Sequence, residues 1–198
     1  MLKLKKIAVT GTLSSGKTSV CNFLKELGAC VVNADQIVHQ LLSPENLIGQ
    51  KVIQLLGKSV VQQGSFNRKQ IAEIVFSDDV KLQALESILF PEVAKAIEER
   101  YQQASKEGSY TAFAAEVPLL YEAKMEKEFD AVIHVDAEEL SCRKRFLASG
   151  GSEEQFKRRM RRQMPSHKKY QLTPYHLINN SDLAELKRKT AELYQQLI

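Results

Sequence analysis

Residues 7–18 read Ile-Ala-Val-Thr-Gly-Thr-Leu-Ser-Ser-Gly-Lys-Thr, and Gly11, Gly16, Lys17 and Thr18 match G-x-x-x-x-G-K-[ST] without a mismatch. The apolar run Ile7 to Val9 leads in as a buried strand. Behind the motif, Val20, Phe23, Leu24 and Leu27 predict one face of a helix, and Gly28 predicts its end. A strand, a glycine turn and a helix N-terminus in that order confine the chain to an α/β fold built around a phosphate-binding loop. Gly11 and Gly16 allow backbone angles that cost other residues energy. The N–H groups of Ser14, Ser15, Gly16, Lys17 and Thr18, with Ser19 behind them, are expected to gather on the phosphates of a nucleoside triphosphate. The Lys17 ammonium then reaches the β- and γ-phosphates, and the Thr18 hydroxyl is placed for Mg²⁺.

The loop specifies a nucleotide, not a reaction. With 198 residues the chain has room for one core and one or two inserted lobes. No apolar run approaches the ~20 residues of a membrane span. The lysines at 3, 5 and 6 are not followed by an apolar signal core. Cys21, Cys30 and Cys142 have no metal-ligand spacing, and Cys21 and Cys30 read as small core residues. A reduced, cytoplasmic protein without disulfides is expected. The net charge of +4 is unevenly placed: residues 140–170 hold ten Lys/Arg and two Glu, so the remainder is net acidic. A basic block of this kind attracts polyanions.

Apolar runs at 4–9, 29–33, 111–115, 130–135 and 175–178 alternate with helical segments, which predicts a parallel sheet covered on both faces. The long interval between the second and third runs reads as helices over 36–43, 46–57, 68–76, 79–90 and 91–105, the last starting at Pro91. Between 137 and 173 a helix ends at Gly150-Gly151, a plausible hinge. Ser152 and Gln155 then form a capping box that opens a second helix carrying Lys157, Arg158, Arg159, Arg161 and Arg162. The expected organisation is a nucleotide-binding core over 1–35, 108–137 and 174–198, a helical substrate lobe over 36–107 and a basic lid over 138–173. A closing helix spans 182–197.

An N-K-x-D guanine signature and a transport-ATPase signature are both missing, and the chain is short for a helicase core. A small-molecule kinase needs an acceptor-side carboxylate, a metal-side acid and cations around the transferring group. Asp35, read as closing the second strand, suits the first role, with helix capping as its bland alternative. Glu116 ends the third run and suits the metal side, acting through water because Mg²⁺ keeps much of its hydration. Asp136 ends the fourth run and competes, although a cap before Glu138 accounts for it locally. Arg145, Arg159 and Arg162 are candidates for clamping phosphates. His39, His134, His167 and His176 are scattered and show no catalytic or metal spacing.

Across nearly its whole length the chain resembles the dephospho-coenzyme A kinase family. The resemblance rests on Thr10 to Thr18, on Asn33-Ala34-Asp35, on Phe66-Asn67-Arg68 with Val75-Phe76, and on Leu85 to Pro91. Most distinctive is Glu116-Val117-Pro118-Leu119-Leu120-Tyr121-Glu122. Arg159, Gln163-Met164-Pro165 and Lys169 match the lid pattern, and Leu177-Ile178-Asn179-Asn180 the closing strand. The chain departs from the family at Leu13, Ser14, Asn33, Phe90, Glu116 and Thr173-Pro174. The resemblance implies a five-stranded parallel core with a helical coenzyme-A-binding lobe and a lid. It also implies transfer of phosphate from ATP to the ribose 3′-hydroxyl of dephospho-coenzyme A. Asp35 would be the base, Lys17 and Arg145 would be catalytic cations, and Thr18 and Glu116 would place Mg²⁺. Asn180 and its neighbours would line the adenine pocket, and Arg68, Arg159 and Arg162 would form a substrate or phosphate clamp. No nucleic acid or membrane partner is expected of a monomer or small homo-oligomer. Two other readings stay open: a kinase for another small acceptor such as a nucleoside monophosphate, and a nucleic-acid-binding ATPase gripping through the basic block, which lacks aromatics over 157–162.

Overall fold

The computed structural model describes residues 3–198. Five parallel strands form one sheet: β1 (Lys6–Gly11), β2 (Cys30–Asn33), β5 (Phe113–Glu116), β6 (Ala131–Asp136) and β7 (Tyr175–Ile178), in the order β2-β5-β1-β6-β7. The α/β sheet expected from the alternating pattern is therefore the one observed. β1 is its middle strand and buried along its whole length, with Lys6 opposite Phe113 on one side and Ile7 opposite Ala131 on the other. Strands buried on both faces carry continuous apolar runs rather than alternation, which is why the runs were readable without a period of two.

The chain divides into two compact units, one built from the chain up to Asn33 together with Arg100–Ile198, the other from Ala34–Glu99. The first unit holds the sheet, α1 (Lys17–Glu26), α6 (Glu139–Ala148), α7 (Glu153–Arg162), α8 (Ser166–Leu172) and α9 (Leu183–Leu197). Its main core joins Ile7 and Val9 of β1, Val20 and Leu24 of α1, Ile133 and Val135 of β6, Leu177 of β7 and Leu186 of α9. Ser152 caps α7 in the expected reciprocal box with Gln155. α8 was not visible as a separate helix in the sequence, where its seven residues carry no apolar period.

The second unit has its own core of Val52, Leu56, Val60, Ile71, Val75, Leu85 and Leu89. It holds α2 (Ala34–Leu41), α3 (Leu47–Leu56) and α4 (Arg68–Phe76). Asn46 and Asn67 cap α3 and α4 through hydrogen bonds from Gly49 N (2.7 Å) and Gln70 N (3.1 Å). This stretch is not wholly helical. Val61–Gln62 (β3) and Ser65–Phe66 (β4) form a small antiparallel hairpin turned by Gln63 and Gly64, both with positive φ. Two-residue strands leave no alternation to read, and a left-handed glutamine carries no turn signal.

Pro91 does not start a new helix. It lies inside α5 (Asp79–Glu107), a single helix of 29 residues. An interior proline removes one backbone bond and strains the preceding turn, at about 3 kcal/mol. The buried stripe runs straight through it: Leu85 and Leu89 before, Val93, Ile97, Tyr101 and Ala104 after. Each such apolar side chain contributes about 1.5–3 kcal/mol on burial, so stopping the helix would cost more than the proline does. Among the described residues no helix is long and apolar enough to cross a membrane. Pro91→Ala should therefore raise the thermal unfolding midpoint by several degrees, restoring a helical bond against a smaller gain in unfolded-chain entropy. A lowered midpoint would mean that the helix needs the proline at this position.

Candidate functional site

Gly11 ends β1 with φ 145°, and a Cβ built there would lie 1.9 Å from the backbone oxygen of Val135 on β6. Only glycine lets the two strands run this close where the loop leaves the sheet. The chain then turns at Thr12–Ser15, closed by Ser15 N donating to Thr12 O (3.2 Å), with Ser14 left-handed at φ 57°. Gly16, at φ 107°, starts α1, and a Cβ on it would meet Asn179 Nδ2 at 2.3 Å. The first turn of a helix presents N–H groups with no intrahelical acceptor, and together with the dipole they suit an anion.

Surrounding groups hold this turn. Thr12 Oγ1 donates to Asp136 Oδ1 (2.8 Å) at the end of β6. Asn179 Nδ2, just past β7, donates to Ser15 O (2.7 Å). Arg145 of α6 donates to Asn179 O (3.0 Å) and more distantly to Ser15 O (3.5 Å). Lys17 is buried, its Nζ donating to Thr12 O (2.7 Å) and Gly11 O (3.3 Å), so its charge lies across the turn. Asp136 is thus a loop support and not a helix cap: α6 begins after Glu138, whose N–H donates to Asn180 Oδ1 (2.8 Å). Asn179 thus reaches the loop, and Arg145 is turned towards the Ser15 and Asn179 carbonyls. Gln163 carries no role that the sequence alone assigns, although it lies inside the Gln163-Met164-Pro165 motif.

At the carboxyl edge of the sheet, the exposed Thr18 donates from Oγ1 to Glu116 Oε1 (2.9 Å), and Asn33 Nδ2 donates to Glu116 Oε2 (2.8 Å). Glu116 is buried, so these two donors set its orientation. One hydroxyl and one carboxylate do not make a closed cage. They suit a hard cation that keeps most of its ligands as water and phosphate oxygen, as Mg²⁺ does. Among the described residues no cluster of three His, Cys, Asp or Glu could hold a metal by itself. Ser19 lies half-buried on α1. Burial pushes the Cys21 thiol well up, and the Glu116 charge adds to this while Lys17 opposes it.

Asp35 does not close β2, which ends at Asn33. It is an exposed residue in the first turn of α2. Arg68 is exposed at the start of α4. On α7, Arg159 is exposed with its guanidinium 5.5 Å from the Phe146 ring centroid, and Arg162 is half-buried. The basic block is partly spent internally. Arg143 pairs with Glu153 (2.7 Å), and Lys169, 1% exposed, pairs with Glu122 (2.9 Å) while donating to Pro118 O (3.0 Å). Burial pulls the Lys169 ammonium below its ordinary range and Glu122 opposes this. Met164 N also donates to Glu122 (2.6 Å), and Tyr121 and Thr173 share a hydroxyl bond of 2.6 Å.

A central strand ending in a glycine turn, a buried lysine across it and a hydroxyl–carboxylate pair on its edge define a phosphate-loop kinase of small molecules. The pattern of the dephospho-CoA kinase family matches residues 5–185. The chain is 46% identical to the dephospho-CoA kinases of Chlamydia pneumoniae and Protochlamydia amoebophila, over 100% of its length and 98% of theirs. In structure it is similar to a Thermus thermophilus protein, with a TM-score of 0.82 at 29% identity over 98% of both chains. It shares its fold with a Bacteroides thetaiotaomicron shikimate kinase (TM-score 0.52, 12% identity, 98% of both chains). The chain belongs to the dephospho-CoA kinase family.

His134 of β6, fully buried behind the loop, bonds Ser166 of α8 (3.1 Å) while Tyr170 stacks on His176 (ring centroids 3.6 Å apart). Burial is the main cause that pushes the His134 imidazole down to about 4, with Asp136 opposing. Between an unfolded value near 6.5 and about 4, the unfolded chain takes up a proton that the folded chain refuses. Stability should thus fall as pH drops through this window, by at most about 3 kcal/mol. Thermal unfolding at a series of pH values should show that slope, and His134→Gln should flatten it.

Proposed function

We propose that this chain transfers the γ-phosphoryl group of ATP to the ribose 3′-hydroxyl of dephospho-coenzyme A, giving ADP and coenzyme A, in the cytoplasm and with Mg²⁺. The observation that carries the chemistry is the supported turn with Lys17 across it and Thr18 bonded to Glu116. The acceptor follows from full-length kinship with proteins named for that substrate.

In this reading the N–H groups of residues 14–18 and the Lys17 ammonium hold the ATP phosphates, and Ser19 extends the first turn of α1 behind them. Thr18 and Glu116 would hold Mg²⁺, which supplies charge neutralisation between the phosphates. Asp35 orients the 3′-hydroxyl and accepts its proton. Arg159 and Arg162 of α7 neutralise phosphate charge on the nucleotide, such cations contributing several powers of ten in rate, and Arg68 serves the acceptor's own phosphates. Arg145 contributes by keeping the Ser15 carbonyl turned away from the phosphates. Residues 36–107 serve as the acceptor lobe and 138–173 as the lid, and Asn180 lines the adenine side. The internal pairing of Arg143, Arg145 and Lys169 speaks against the basic block as a nucleic-acid grip.

A coupled assay for ADP against a panel of acceptors tests the reading. Dephospho-coenzyme A should exceed nucleoside monophosphates in kcat/KM by at least about a hundredfold. Equal turnover of a nucleoside monophosphate would transfer the assignment to another acceptor. Asp35→Asn should lower kcat by about 10²–10⁴, with the KM for ATP within a few-fold and the unfolding midpoint unchanged, since Asp35 is exposed. Full activity in that variant would remove Asp35 from the chemistry.

A further inference from the structure

The phosphate loop of this chain has a serine where its shape asks for glycine. Thr12–Ser15 is a tight turn with its positive φ at the third residue, Ser14, and not at the second. That is the corner where turns of this type select glycine, because a side chain there meets its own backbone. The shape persists only if its neighbours are held.

Leu13, the other corner, is held from two directions. Its side chain packs on the small core of Cys142, Phe146 and Phe156, with Met160 beside it. Its N–H donates to Gln163 Oε1 (3.0 Å). Gln163 is itself fixed. It is the C-cap of α7, with its own N–H on Met160 O (3.2 Å), and the next N–H, of Met164, is bonded to Glu122 of the buried Lys169 pair. The amide is therefore presented to the loop from a stretch of backbone whose own N–H groups are bonded. The residue type fits as well. A glutamate would accept the same bond but would bring a negative charge to a turn that must hold polyphosphate, whereas the amide oxygen accepts and stays neutral.

We propose that Gln163 is a positioning residue for nucleotide binding: it holds the Leu13 corner so that the serine-cornered turn keeps its phosphate-binding shape, and it sets the end of α7 in register with the loop. The inference rests on reading the loop as the ATP site.

The test is calorimetric titration of the full chain with a non-hydrolysable ATP analogue and Mg²⁺, for Gln163→Ala and Gln163→Glu. Gln163→Ala is also made in a Ser14→Gly background. Loss of one neutral hydrogen bond predicts an affinity about tenfold weaker for Gln163→Ala. The KM for ATP should rise in step while the KM for the acceptor stays put. Gln163→Glu should also weaken binding while keeping the unfolding midpoint. In the Ser14→Gly background the same Gln163→Ala change should cost about twofold or less, because glycine takes the corner unaided. If Gln163→Ala does not fold, Gln163→Met gives the same comparison. Wild-type affinity in Gln163→Ala, or an equal loss in both backgrounds, overturns the proposal. Failure of the wild-type chain to bind the analogue overturns the ATP reading and this inference together.

Discussion

The peptide between Ser15 and Gly16 is the joint on which the nucleotide end of this protein depends. Its carbonyl accepts from Asn179 at the sheet's edge and from Arg145 of α6. While it points that way, the N–H groups that follow point the other way, into the turn. A helix N-terminus attracts anions in any protein. It becomes a fixed receptor only when the peptide leading into it cannot rotate. The ends of β1, β6 and β7 and one face of α6 are thereby committed to a single orientation of one amide plane. The Gly16–Asn179 approach, with no room for a Cβ, makes the commitment reciprocal.

The loop and the five strands were legible in the sequence because each is a local or near-continuous pattern: a motif of fixed spacing and apolar runs of four to six residues. The hairpin at Val61–Phe66 was not, and neither was the continuity of α5 across Pro91, because both depend on what lies against them. A proline reads as a boundary until the buried stripe on either side of it is known to be one stripe. The site was legible in the same unequal way. Lys17 lies across the turn and Thr18 is bonded to Glu116 because motif spacing and a strand end fix their places in the fold. Asp136 looked like a cap because its true partner, Thr12, is more than a hundred positions away. Gln163 looked inert because a neutral amide carries no chemical signal until its donor is known.

Charge illustrates the gap between composition and placement. Counted along the chain, residues 140–170 form a strongly basic block. Placed in space, the block has an interior and an exterior. Lys169 is almost wholly enclosed, satisfied by Glu122 and Pro118, and a charge so enclosed contributes order to the Gln163–Thr173 stretch and no attraction at a distance. The long-range field comes from the exposed members, Lys144, Lys157, Arg159, Arg161 and Lys168, three of them on α7. A capping box closes the first turn of that helix, and Gln163 at its other end accepts from the loop.

The strand order also bears on how the chain is made. β1 and β2 are synthesised first, yet they are not neighbours: β5 lies between them, and β6 flanks β1 on the other side. No pair of the sheet can form until roughly 80 to 100 more residues have followed, and at ribosomal rates of about 5–20 residues per second this takes several seconds to tens of seconds. For that interval Ile7, Ala8 and Val9 have no strand to pair with, while Ala34–Glu99 already has the residues of its own core. Folding on the ribosome should thus start with the unit whose residues are contiguous and end with the sheet. The apolar N-terminal strand is the segment most exposed to aggregation or chaperone capture in between.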